Sequence, residues 1–103
     1  GYAVGYGMLV EAKIAELLNI LSPKDCGYIA SYLKSFGITS APLRKFPVEK
    51  VIKASKSDKK VRGGLPYYVL LESVGSVYKK DGQFAHPVKD SVVKKAFQLV
   101  TKR

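Results

Sequence analysis

Cations dominate the side chains of this sequence that can do chemistry. His86 is the single histidine and Cys26 the single cysteine. With no second histidine or cysteine at ligand spacing, His86 cannot build a metal site alone. Its place between Ala85 and Pro87, near a predicted turn, reads as a solvated loop position. Glu11 and Glu16 stand five apart on a predicted helix and so do not share a face, which favours solvated carboxylates over an acid and base pair. Cys26 reads as a buried free thiol. A lone cysteine excludes an internal disulfide and points to a reducing, cytoplasmic setting.

The basic stretch is more informative. Between Arg44 and Arg62, eight lysines or arginines stand against only Glu49 and Asp58. Ammonium groups beside the Gly63-Gly64 loop can meet a phosphate both as charges and through exposed backbone amides. A solvated basic helix face followed by a flexible loop accounts for the same pattern. Beyond it, Tyr67 and Tyr68 suit stacking on single-stranded nucleic acid or, more simply, packing in a strand. Neither a Walker motif nor a GxGxxG dinucleotide fingerprint occurs, so nucleotide binding by these residues alone has no sequence support.

The 103 residues suit one domain, taken here as 1–103. A hydrophobic fraction of 47% and a charged fraction of 25% can supply a core, which argues against disorder along the whole length. A net charge of +10 draws anions to the surface: phosphates, nucleic acid or acidic headgroups. No apolar run approaches the roughly 20 residues needed to span a bilayer, and the start lacks the pattern of a signal peptide. A soluble chain is expected.

The elements that position these residues follow from periodicity and punctuation. Val4, Met8, Ile14, Leu17, Leu18 and Leu21 recur at helical intervals and predict a helix from Tyr2 to Ile20. Its glycine-rich opening suggests close approach by another element or a ligand, or else a loose helix entry. Ser22-Pro23 starts a second helix running to Phe36, with Ile29, Tyr32, Leu33 and Phe36 as its apolar face and Gly37 as its left-handed end. Ile38 to Lys45, with Pro42, reads as an extended connection. A third helix is predicted from Phe46-Pro47-Val48 to about Ser57, facing Val48, Val51, Ile52 and Ala54 inward. Arg62-Gly63-Gly64 reads as a flexible loop. Tyr67 to Glu72 and Val77-Tyr78 favour strands leading to a Lys80-Asp81-Gly82 turn. Val92, Val93, Ala96, Phe97 and Val100 predict a closing helix from about Lys89 to Lys102. The fold class expected is mainly α with a small β-hairpin, α+β.

Two segments together resemble the 3-dehydroquinate synthase family of sugar-phosphate cyclases. Gly1-Tyr2-Ala3-Val4-Gly5-Tyr6-Gly7-Met8 is similar to the family's helix-opening motif, in which a histidine precedes Gly, usually Glu, then Ala-Val, two small or apolar residues and Gly-Met. Gly1, Ala3, Val4, Gly7 and Met8 match, whereas Tyr2, Gly5 and Tyr6 depart from the commonest form. Asp58-Lys59-Lys60 resembles the stretch preceding the family's Val-Leu-Leu strand and glycine turn, here Val69-Leu70-Leu71 and Gly75. The Leu18 to Pro23 stretch is similar to the family's leucine-rich, Ser-Pro helix link.

The resemblance implies the carboxy-terminal helical domain of a two-domain enzyme, whose amino-terminal domain binds NAD. It also implies a lyase reaction of the shikimate pathway, in aromatic amino acid biosynthesis, that turns 3-deoxy-arabino-heptulosonate 7-phosphate into 3-dehydroquinate with loss of phosphate. The implied cofactors are NAD and a divalent metal, zinc or cobalt, held by a glutamate and two histidines. One of those histidines would stand immediately before Gly1 and the other ligands farther upstream, so none of the three lies in this chain. What carries over is the phosphate-contacting lysine, at Lys59 or Lys60, with Arg62 as a weaker candidate. The chain alone is then expected to be inactive, with the sugar phosphate and the NAD domain as partners and a homodimer possible through exposed apolar surface. The competing class is a small basic nucleic-acid-binding protein, which predicts affinity that falls steeply with salt. A purely structural module predicts affinity for neither.

Overall fold

The computed structural model describes residues 2–45, 47–50, 53 and 61–101. Helix α1 (Tyr2–Leu17) ends three residues short of the expected Ile20. Asn19 takes up a left-handed conformation there, with φ of 59°. Its amide donates to the Glu16 carbonyl at 3.0 Å and that of Ile20 to Ala15 at 2.9 Å, a Schellman closure on asparagine in place of glycine.

Helix α2 (Pro23–Ser35) is capped by Ser22, whose Oγ accepts from the Asp25 amide at 3.1 Å. Gly37, with φ of 81°, closes its far end as expected: its amide donates to Lys34 and that of Ile38 to Leu33. The buried stripe of α2 is Cys26, Ile29 and Leu33. Tyr32 and Phe36, expected on that face, are 58% and 60% exposed. They lie beside the stripe and pack on each other edge to face, with ring centroids 5.2 Å apart.

The connection after α2 is not extended. Ala41–Lys45 forms a 3₁₀ turn, since Pro42 lacks an amide proton that a first helical turn would leave unused anyway, and Leu43 closes onto Ser40 at 3.0 Å. Residues 48–50 and 53 are helical, in line with the third predicted helix. The rest of that helix, including Val51, Ile52 and Ala54, lies outside the described residues.

The predicted loop at Arg62-Gly63-Gly64 is instead a hairpin. Arg62 belongs to strand β1 (Val61–Arg62), and Gly63 and Gly64, with φ of 59° and 80°, make the two-residue turn into β2 (Leu65–Val69). Two successive positive φ angles match the twist of paired strands, and glycine adopts them without strain. The predicted strand from Tyr67 to Glu72 is divided at Leu70. β3 (Leu71–Ser73) pairs with β4 (Ser76–Val77), while β5 (Ala85–Pro87) returns antiparallel to β2 and sets Tyr68 opposite His86. The Lys80-Asp81-Gly82 turn forms as predicted, with Lys80 and Gln83 bonded in both directions.

Helix α3 (Asp90–Thr101) closes the fold close to its predicted limits, burying Val93, Ala96 and Phe97. It packs across α1, where Ile14, Ala15 and Ala96 are wholly buried and Val93 is 1% exposed. The two alanines let the helix axes approach. Pro66, Tyr68, Leu70 and Val88 cover this core from the strand side, which confirms Tyr68 as a packing residue. The architecture is α+β, mainly helical with small antiparallel sheets, as expected. Among the described residues no helix is long and apolar enough to cross a membrane.

Candidate functional site

Of the three cations singled out in the sequence, Lys59 and Lys60 lie outside the described residues, as does Asp58. Arg62 is placed by its backbone, which pairs with Leu65 on the edge strand of the order β1-β2-β5. It therefore begins a hairpin and is held in register.

His86 is not a solvated loop residue. It sits on β5, half-buried, with its ring tilted 51° against Tyr78 at a centroid distance of 4.9 Å and its Nε2 3.4 Å from the Tyr78 carbonyl oxygen. These contacts are structural. Among the described residues, no three of His, Cys, Asp and Glu come together as a metal site.

Glu16 is also not a simple solvated carboxylate. Lys13 donates to its Oε1 at 2.7 Å, a bond that holds the Glu16 carboxyl below its ordinary range and raises the Lys13 ammonium. Cys26 on α2 faces this pair and is buried, as expected. Burial, then hydrogen bonding to Glu16, pushes its thiol up to about 11. A thiolate nucleophile is thus withheld at neutral pH.

A groove of about 550 Å³ lies where α1, α2, the 3₁₀ turn and α3 meet. Leu9, Ala12, Ala30, Ile38 and Val100 give it apolar walls, and Lys34, Arg44, Thr39 and Ser40 supply polar groups. Arg44 Nε donates to the Thr101 carbonyl at 2.7 Å, which satisfies a free carbonyl at the end of α3. Nη2 of the same guanidinium lies 3.4 Å from Ser40 Oγ. In the sequence Arg44 stands out only as the start of a basic run. The signal that could have placed it is Pro42, read as the opening of a turn that folds Arg44 back toward α3.

The glycine-rich opening of α1 is resolved in favour of close approach, at one glycine. A β-carbon on Gly5 would collide with the Ile38 side chain, just beyond α2, whereas one on Gly7 would meet nothing. The neighbour is thus another part of the same chain.

The chain is similar to the pentafunctional AROM polypeptide of Lachancea thermotolerans, with 32% identity over 104 aligned residues, 91% of this chain. It is likewise 31% identical to that of Zygosaccharomyces rouxii, again over 91% of the chain. The match to the Eremothecium gossypii polypeptide is 31% over 88% of the chain. In each case the chain spans about 6% of the relative's length. No family model matches, and no solved structure matches.

Proposed function

We propose that this chain is the carboxy-terminal helical part of a 3-dehydroquinate synthase belonging to a larger, multifunctional shikimate-pathway polypeptide. The observation that carries the reading is the pairing, in order, of the Gly1 to Met8 motif with Asp58-Lys59-Lys60, in a chain alike over 91% of its length to pentafunctional AROM polypeptides. A segment covering about 6% of such a relative corresponds to a part of one activity, not to all five.

In this reading, Lys59 or Lys60 holds the phosphate of 3-deoxy-arabino-heptulosonate 7-phosphate as it leaves, and Arg62 stands at the start of the hairpin that follows. A fixed cation stabilises the charge that builds on the departing phosphate without reorganising at the moment of reaction. When bound, NAD and a zinc or cobalt ion supply the transient oxidation and the polarising of substrate oxygens. The described residues do not form a cluster to hold such a metal. Its ligands are assigned to residues outside this chain.

The test exchanges this chain for the matching segment of the Lachancea thermotolerans polypeptide and follows phosphate release from the heptulosonate substrate. Turnover is expected to survive the exchange, and Lys59→Ala with Lys60→Ala to lower kcat/KM by about 100-fold or more. Unchanged turnover in the double variant would remove the phosphate role, and loss of a different activity of the polypeptide would remove the synthase assignment. Salt-sensitive DNA or RNA binding by the chain, weakened by Lys59, Lys60 or Arg62 substitutions, would favour the nucleic-acid reading.

A further inference from the structure

We infer that the groove between α1, α2 and the 3₁₀ turn is a binding site for a phosphate monoester of a small apolar group, gripped by Arg44 and Lys34. The inference uses neither Lys59 nor Lys60 and stands apart from the proposed reaction.

Size comes first. About 550 Å³ suits a ligand of roughly drug-fragment to drug size, in the range where binding clefts usually fall. The walls then divide by chemistry. Leu9, Ala30, Ile38 and Val100 can take an apolar body, whereas Lys34, Arg44 and the hydroxyls of Thr39 and Ser40 can meet an anionic head.

The charge count at the groove favours a dianion. Lys13 and Glu16 cancel each other in their 2.7 Å ion pair. Cys26, raised to about 11, stays neutral near pH 7. Among the described residues lining the groove Glu16 is the one carboxylate, so Lys34 and Arg44 face no further carboxylate there, a balance that matches a phosphate monoester better than a carboxylate.

Arg44 is also the better oriented of the two. Its Nε is fixed on Thr101 and Nη2 approaches Ser40, so the plane of the guanidinium is held while the Nη1 protons have no bond among the described contacts. A fork anchored in this way loses less conformational freedom on meeting phosphate than a free one does. Lys34, in the last turn of α2, adds a mobile point charge.

The test titrates phenyl phosphate into the full 103-residue chain, labelled with ¹⁵N, near pH 7.5. Saturable shifts are expected at Leu9, Ala30, Ile38 and Val100. Inorganic phosphate, which lacks the body, and benzoate, which carries one charge, should each bind about tenfold more weakly. Lys34→Gln and Arg44→Gln should each weaken phenyl phosphate by roughly five- to tenfold, and Lys94→Gln on the exposed side of α3 should not. Because Arg44 also closes the end of α3, the result for Lys34→Gln decides if Arg44→Gln lowers Tm. Equal binding of inorganic and phenyl phosphate, shifts mapping outside the groove, or an unaltered affinity in Lys34→Gln would overturn the inference.

Discussion

Ile14 and Ala96 lose all contact with solvent where α1 crosses α3, whereas Val69, Val74 and Phe84, in the strand region, stay 52%, 49% and 52% exposed. Both regions are rich in apolar residues, so composition does not explain the contrast. Length of regular structure does. Helices of 16, 13 and 12 residues repeat a buried stripe over several turns. Strands of two to five residues change partner before alternation can sort one face from the other. Stability should therefore be concentrated in the helices, with the strand region contributing mainly through Pro66, Tyr68, Leu70 and Val88.

The most direct way to break this comparison is Ile14→Ala. The side chain is fully buried, so its removal loses transfer free energy and leaves a cavity. The expected cost is about 3 kcal/mol, read as a lower urea midpoint with unchanged slope. A cost below about 1 kcal/mol would mean that the helix interface relaxes freely and is not the seat of stability.

Next in size is a pH effect confined to the helical side. The Cys26 thiol is raised from 9.0 to about 11 mainly by burial, so folding favours the protonated form. Stability from this group is full below the unfolded value near 9 and is lost as pH rises through 11. The loss should be on the order of 2 kcal/mol. The measurement is the difference between wild type and Cys26→Ala across pH 8 to 11, where the gap should narrow as pH rises. Parallel curves would show that the thiol is not held protonated. The same burial predicts slow alkylation of Cys26 at pH 8 unless the chain is unfolded.

How much of this was legible in the sequence follows the same division. The caps of α2 could be read directly because Ser22-Pro23 and Gly37 act through their own backbone chemistry, and the stripe of α3 because its period is unbroken. The end of α1 was misjudged because Asn19 closes the helix while the apolar pattern runs on through Ile20 and Leu21. Likewise, the break at Leu70 depends on which strand pairs with which, a matter no local window contains. The groove depends on four elements meeting, and reading Ile38 to Lys45 as extended hid Arg44's return to α3. Local pattern marked a basic run beside Gly63-Gly64, and it is the resemblance to a family that narrows that run to the lysines at 59 and 60.

A smaller effect sharpens the contrast within α1 itself. Gly5 lies against Ile38 while Gly7 faces open space. In Gly5→Ala the added methyl meets a side-chain tip that must move, so the roughly 1 kcal/mol of helix propensity gained should be more than offset, for a net cost of about 1 kcal/mol. Gly7→Ala should instead stabilise by up to about 1 kcal/mol. Shortening the neighbour with Ile38→Ala should reverse the sign at Gly5, and a double-mutant cycle reports the coupling. Additive effects would deny the contact.

The smallest expected effect lies in the strand region. Val69→Thr keeps the branched shape that β2 favours, and leaves untouched the backbone pairing of Val69 with Ala85. With 52% of Val69 exposed, little apolar area changes environment, and the urea midpoint should shift by no more than about 0.5 kcal/mol. The comparison turns on that small number. A cost above 1 kcal/mol that grows with protein concentration would mean that this face is buried by a second copy. Val69, Val74 and Phe84 would then be core residues of a larger assembly, and the helices would not carry stability alone.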